Sequence, residues 1–120
     1  MIQPNYTYKA TVTNVVDADT IDAVTDCGFH ITMKQRLRLA RVNAPEMNSA
    51  DPAIRAKAIE AKTYVSQSVL LREVVIITQK ADAFGRYLAE VLVIDPLGSQ
   101  LNLSDEMLRL GYAIPYVRKS

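Results

Sequence analysis

The 120-residue chain has one cysteine, Cys27, and one histidine, His30. A lone cysteine excludes an intramolecular disulfide. Together the two residues leave zinc without a ligand set and rule out a two-histidine acid–base pair. An excess of one charge is also missing: 14 Lys and Arg face 13 Asp and Glu, a formal net charge of +1. No global positive field announces a nucleic-acid binder, so any basic surface has to be local. No apolar run approaches the roughly 20 residues of a membrane span, and no membrane partner is expected. The opening Met-Ile-Gln-Pro-Asn-Tyr carries neither a charged n-region nor an apolar h-region. The simplest expectation is therefore a cytoplasmic chain that starts at Met1, with secretion from a longer precursor left open. No glycine-rich phosphate loop leads into a helix, and no Ser or Cys has a nucleophile-elbow context, which removes nucleotide-hydrolase and acyl-transfer chemistries.

What is present suffices for one core. Hydrophobic residues make up 49% of the chain. With no internal repeat, a single domain over residues 1–120, working as a monomer, is expected. Tyr6, Tyr8, Ala10 and Val12 alternate with polar residues, predicting a first strand over Tyr6–Val16. Asp17-Ala18-Asp19 should be a tight bend into a second strand, Thr20–Val24. After a turn at Thr25–Gly28, Phe29, Ile31, Met33, Leu37 and Leu39 share one face of a third strand. His30, Thr32, Lys34, Arg36 and Arg38 share the other, so Arg38 is expected on a polar, outward face. Asp51 and Pro52 suit an N-cap and first helical position, and Ile54, Ala58, Ala61, Val65 and Val69 recur at helical spacing. Glu73–Thr78 reads as a buried strand, Gln79–Asp82 as a loop, and Tyr87–Ile94 as the fifth strand. Asp95-Pro96-Leu97-Gly98 is a turn, and Ser104 to Gly111 brackets a short helix. The order predicts a mainly β member of the α+β class. Its architecture is a five-stranded Greek-key barrel of the OB type, with a long helix between strands three and four and a short C-terminal helix.

The stretch Arg36 to Glu46, Arg-Leu-Arg-Leu-Ala-Arg-Val-Asn-Ala-Pro-Glu, gathers guanidinium groups, an amide oxygen and a carboxylate at one strand end. Pro45 lacks an N–H and holds Ala44 extended, which predicts an irregular exit carrying Asn43, Ala44 and Glu46. Cleaving a phosphodiester requires fixed cations beside the non-bridging oxygens and a base for water. Arg38, and Arg86 at the head of the fifth strand, suit the first task, since a guanidinium fork takes two phosphate oxygens at once. They equally suit a solvated surface. Asp19, Asn43 and the Ala44 carbonyl are hard oxygen ligands fit for Ca²⁺; by spacing alone, the acidic pair Asp17 and Asp19 also simply makes a hairpin turn. Glu46 is the one carboxylate of the stretch and a candidate general base, or a charge beside a helix start.

Three blocks carry a resemblance to the staphylococcal nuclease-like (thermonuclease) domain family. They are Val16-Asp17-Ala18-Asp19-Thr20, Arg38-Leu39-Ala40-Arg41-Val42-Asn43-Ala44-Pro45-Glu46 and Asp82-Ala83-Phe84-Gly85-Arg86-Tyr87-Leu88-Ala89. The resemblance implies an OB-fold barrel and Ca²⁺-dependent hydrolysis of DNA or RNA, as an endonuclease-type phosphodiesterase. Water would attack phosphorus and the 5′ oxygen would leave, giving 3′-phosphate ends. By the same resemblance Asp19 is a calcium-binding aspartate, Glu46 the glutamate that activates water, and Arg38 and Arg86 the phosphate-binding arginines. Tyr116 corresponds to a tyrosine lining the nucleotide pocket. Asn43 stands where a second metal-binding aspartate is expected, and Ala44 replaces a threonine whose carbonyl is the ligand. One negative charge fewer predicts weaker Ca²⁺ binding and opens the site to Mg²⁺ or Mn²⁺. The alternative is a non-catalytic domain of the same fold that binds nucleic acid or a protein partner.

Overall fold

Period-two alternation builds the first wall of the molecule. In the computed structural model, which describes residues 5–81 and 87–116, β1 (Thr7–Asp17) turns through Ala18 and Asp19 into β2 (Thr20–Asp26), which pairs with β3 (Thr32–Leu39). Ala10 and Val12 are buried, and a register shift between Val12 and Asn14 resets the alternation so that Val15 also faces inward. Such a bulge bends the strand, as barrel closure requires.

The third strand starts later than the apolar pattern predicts. Gly28, Phe29 and His30 all have positive φ and form the hairpin tip, leaving Phe29 95% exposed. Ile31 and Met33 are exposed as well, so only Leu37 and Leu39 of the expected apolar face reach the core. A hairpin tip of alternating side chains imitates a half-buried strand but has nothing to pack against.

Helix α1 (Pro52–Val69) follows its local signals: the Asp51 carboxylate accepts the Ala53 N–H at 2.9 Å, and Pro52 occupies the first turn. Ala58, Ala61, Val65 and Val69 are buried, whereas Ile54 stays exposed. At the helix exit, Leu71 N–H donates to Val12 O at 2.8 Å and Val12 N–H to Arg72 O at 3.1 Å, tying the helix to β1. The chain then enters β5 (Glu73–Ala81) and β6 (Tyr87–Ile94). Strand β5 runs through Gln79–Ala81, where a loop is predicted, because its pairing with β6 continues past a register shift to Ala81 and Tyr87.

Pairing in the order β1–β2–β3–β6–β5–β1 closes a five-stranded barrel, with β3 and β6 parallel through Leu37↔Tyr87, Arg38↔Leu88 and Leu39↔Ala89. This is the OB-type order, and the mainly β fold with two helices agrees with the α+β expectation. Inside lie Ile21, Leu37, Leu39, Ile76 and Val91, all fully buried, each contributing about 1.5–3 kcal/mol. Strand β7 (Gln100–Asn102) extends the sheet along β6 and leads into α2 (Leu103–Leu110). That helix is capped by Asn102, whose side chain accepts the Asp105 N–H at 3.2 Å, and not by Ser104, which is buried as the second helical residue. Gly111 ends it at φ 79° as predicted. The segment after β3 is more regular than its proline suggests: β4 (Val42–Asn43) pairs with β8 (Ile114–Pro115) in a two-stranded sheet.

Candidate functional site

The β1–β2 hairpin and the end of β3 meet because Thr20 and Arg38 are paired in register. This sets Asp19 beside the Arg38 guanidinium: Oδ2 lies 3.6 Å from Nη2. The Asp19 carboxylate is otherwise held locally, accepting the Thr20 hydroxyl at 3.1 Å on Oδ1 and the Ala44 N–H at 3.1 Å on Oδ2. Its backbone O accepts the Leu39 N–H at 2.8 Å.

Arg38 is not outward in the sense the alternation suggests. It does lie opposite Leu37 and Leu39, but the chain beyond β3 folds over that face, and the residue is only 8% exposed. Burial is tolerated because both Nη1 protons are satisfied, on Leu39 O and Val42 O at 2.8 Å each, while Asp19 supplies a countercharge. The second edge is held more loosely. Nη2 is 3.5 Å from Asn43 Oδ1 and 3.6 Å from Asp19, both beyond good hydrogen-bond length. The Tyr116 ring covers the guanidinium at 5.6 Å, within cation–π range, and is itself half exposed.

The turn that makes this possible is Leu39–Val42. Arg41 occupies its second central position at φ 69°, where glycine is the ordinary choice. Its side chain reaches back over the barrel and binds Glu90 on β6 through two 2.7 Å hydrogen bonds, then Asp105 at the start of α2 at 2.9 Å. Asn102 completes the group, donating to Glu90 at 3.1 Å. The paired guanidinium holds the Glu90 carboxyl below the usual carboxylate range, and the two carboxylates raise Arg41 in turn. The Arg41 carbonyl accepts the Tyr116 N–H at 2.9 Å, which with the β4–β8 pairing fixes the tyrosine over Arg38.

The fold thus gathers five of the residues singled out in the sequence: Asp19, Arg38, Asn43, Ala44 and Tyr116. Glu46 lies exposed, three positions beyond Asn43, and its side chain makes no hydrogen bond or ion pair among the described residues. Arg86, with the rest of the Asp82–Arg86 block, lies outside the described residues. Arg36 pairs instead with Asp22 through contacts of 2.8 and 3.2 Å. No group of three His, Cys, Asp or Glu side chains capable of holding a metal occurs among the described residues. A hard cation would have to draw on one carboxylate, Asp19, with the neutral oxygens of Asn43 and Ala44. Those donors fit such an ion in kind, being all oxygen, but their single negative charge is already shared with Arg38.

Sequence reasoning missed the clamp of Arg41, Glu90, Asn102 and Asp105. One signal was there: Arg41 breaks the alternation of the strand just before a proline-containing exit. Its partner Glu90 is 49 positions away and carries no local mark.

No curated protein matches the chain. The sequence model of the staphylococcal nuclease homologue family matches residues 36–120, a span that includes the end of β3 from Arg36, both helices and the turn described above. Taken with the closed OB-type barrel, this places the chain in the staphylococcal nuclease homologue family.

Proposed function

We propose that the protein is a nuclease that hydrolyses phosphodiester bonds of DNA or RNA, with Arg38 as the phosphate grip and Glu46 as the general base. The supporting observation is the unequal binding of the Arg38 guanidinium. Nη1 is locked on two carbonyls at 2.8 Å, while Nη2 rests at 3.5 and 3.6 Å from Asn43 and Asp19. A group so held is fixed in direction yet has one edge ready to exchange weak contacts for phosphate oxygens, as stabilisation of developing charge requires. Tyr116 stacks beside it, and Arg86 is the second phosphate-binding arginine of the proposal.

Glu46 is suited to its role by being exposed and unpaired among the described residues, since a carboxylate already bound to a cation is a weak base. It would take a proton from water as the water oxygen bonds to phosphorus. The 5′ oxygen then leaves and takes up a proton, so the products are a 3′-phosphate and a 5′-hydroxyl. Asp19, Asn43 and the Ala44 carbonyl would hold a hard divalent cation, Ca²⁺ or in its place Mg²⁺ or Mn²⁺. When bound, it supplies Lewis-acid neutralisation of phosphoryl charge.

The test is digestion of single-stranded and duplex DNA and RNA in Ca²⁺, Mg²⁺, Mn²⁺ and EDTA, comparing wild type with Glu46→Gln. Loss of the base should slow cleavage by about 10²-fold or more. Equal rates for the two proteins would defeat the proposal. Tight binding without turnover in every metal would instead support a binding domain, the reading favoured by the lone carboxylate of the cluster.

A further inference from the structure

We infer that Arg41 is the positioning residue of this site: its clamp on Glu90 and Asp105 fixes the turn by which Arg38, Asp19 and Tyr116 are held. The inference rests on the proposed role of Arg38 as the phosphate grip. Three of the contacts that orient the cluster come from the backbone of Arg41, Val42 and Ala44. The Arg41 carbonyl receives Tyr116, the Val42 carbonyl receives Arg38 Nη1, and the Ala44 N–H reaches Asp19.

The backbone does not choose this turn unaided. A φ of 69° is uncommon for a residue with a long side chain. What selects it is the far end of the side chain. Two hydrogen bonds of 2.7 Å to Glu90 and one contact of 2.9 Å to Asp105 anchor the guanidinium to β6 and to the start of α2. Those anchors are themselves fixed, because Asn102 both donates to Glu90 and caps α2. Releasing the guanidinium frees the turn to relax towards negative φ, which would swing the Arg41 and Val42 carbonyls away from Tyr116 and Arg38. Arg41 thus acts on substrate only through other groups.

Two variants separate this role from general stability. Arg41→Ala removes the clamp and leaves the positive φ with nothing to hold it. Glu90→Gln leaves Arg41 in place and removes one of the two charges that hold it. In both, amide hydrogen exchange in β1 and β2 should match wild type, while exchange at Ala44 and Tyr116 should be at least about tenfold faster. The dissociation constant for a fluorescein-labelled single-stranded DNA oligonucleotide in EDTA should rise by about fivefold or more. Arg41→Lys, which keeps the charge but not the fork, should fall between. Unchanged exchange at Ala44 and Tyr116, or equal acceleration in every strand, would overturn the inference. Should Arg41→Ala not fold, Glu90→Gln decides by the same two readouts. If the wild type does not bind the oligonucleotide, the phosphate-grip proposal fails, and exchange at Ala44 and Tyr116 alone decides whether Arg41 sets the turn.

Discussion

Asp19, in the β1–β2 turn, and Arg38, near the end of β3, face each other at 3.6 Å, and Asn43 stands 3.5 Å from the same guanidinium nitrogen. The carboxylate proposed to hold a cation and the arginine proposed to hold phosphate are therefore one electrostatic unit. Whatever changes the charge beside Arg38 changes both.

Asn43→Asp is the direct probe of that unit. The substitution keeps shape and adds one negative charge to a donor set that has only Asp19, so Ca²⁺ affinity by isothermal titration should rise by about tenfold or more. It also gives Arg38 a second countercharge, which should tighten the loose Nη2 edge. Unchanged Ca²⁺ affinity would show that the ion, if bound, does not use position 43.

Removing the arginine should damage stability as well as activity. In Arg38→Ala the Leu39 and Val42 carbonyls lose their 2.8 Å donors and Asp19 loses its cation. Uncompensated burial of this kind costs about 2–4 kcal/mol, which would appear as a lowered urea midpoint. Arg38→Lys keeps the charge but offers no planar fork, so it should recover part of the stability and little cleavage. A variant as stable as wild type would mean that the carbonyls find water instead.

How much of this was legible depends on how local each signal is. The Asp51-Pro52 start of α1, the Asp17–Asp19 bend and the Gly111 stop were readable because cap and turn chemistry acts over a few residues. Alternation correctly set Arg38 opposite Leu39, but a strand pattern says which face a residue is on and not what covers it. The cover comes from β4 pairing with β8, far along the chain. The same limit explains Phe29, whose place in an alternating run suggested burial although a hairpin tip has no opposing layer. Asn102 took the capping role from Ser104 because β7 delivers the chain to the helix two positions earlier than the acidic first turn implies.

Ser104 offers a prediction of the opposite sign. Its hydroxyl is fully buried and has no hydrogen-bond partner among the described residues. Ser104→Ala deletes an unsatisfied polar group and improves helix propensity, so the protein should gain about 1 kcal/mol, read as a higher thermal midpoint. Destabilisation would reveal a partner for the hydroxyl.

The pH dependence of the clamp can be given a sign. Arg41 holds the Glu90 carboxyl below its ordinary range in the folded protein, whereas in the unfolded chain it titrates near the usual value of about 4.3. The unfolded state then binds more protons between those two values. Stability from this pair is fully present above the unfolded pKa and is lost as pH falls through the folded one. Because Arg41 is nearly half exposed, solvent screens the pair and the loss should be modest, about 1 kcal/mol. Urea midpoints measured from pH 7 downward should fall more steeply below about pH 4.3 for wild type than for Glu90→Gln, which has no proton to take up there. Neutral pH is where the two proteins should differ most in stability, and the gap should close in acid. Parallel curves through the acid range would show that Glu90 is not held by Arg41 in solution, and the clamp would lose its anchor on β6.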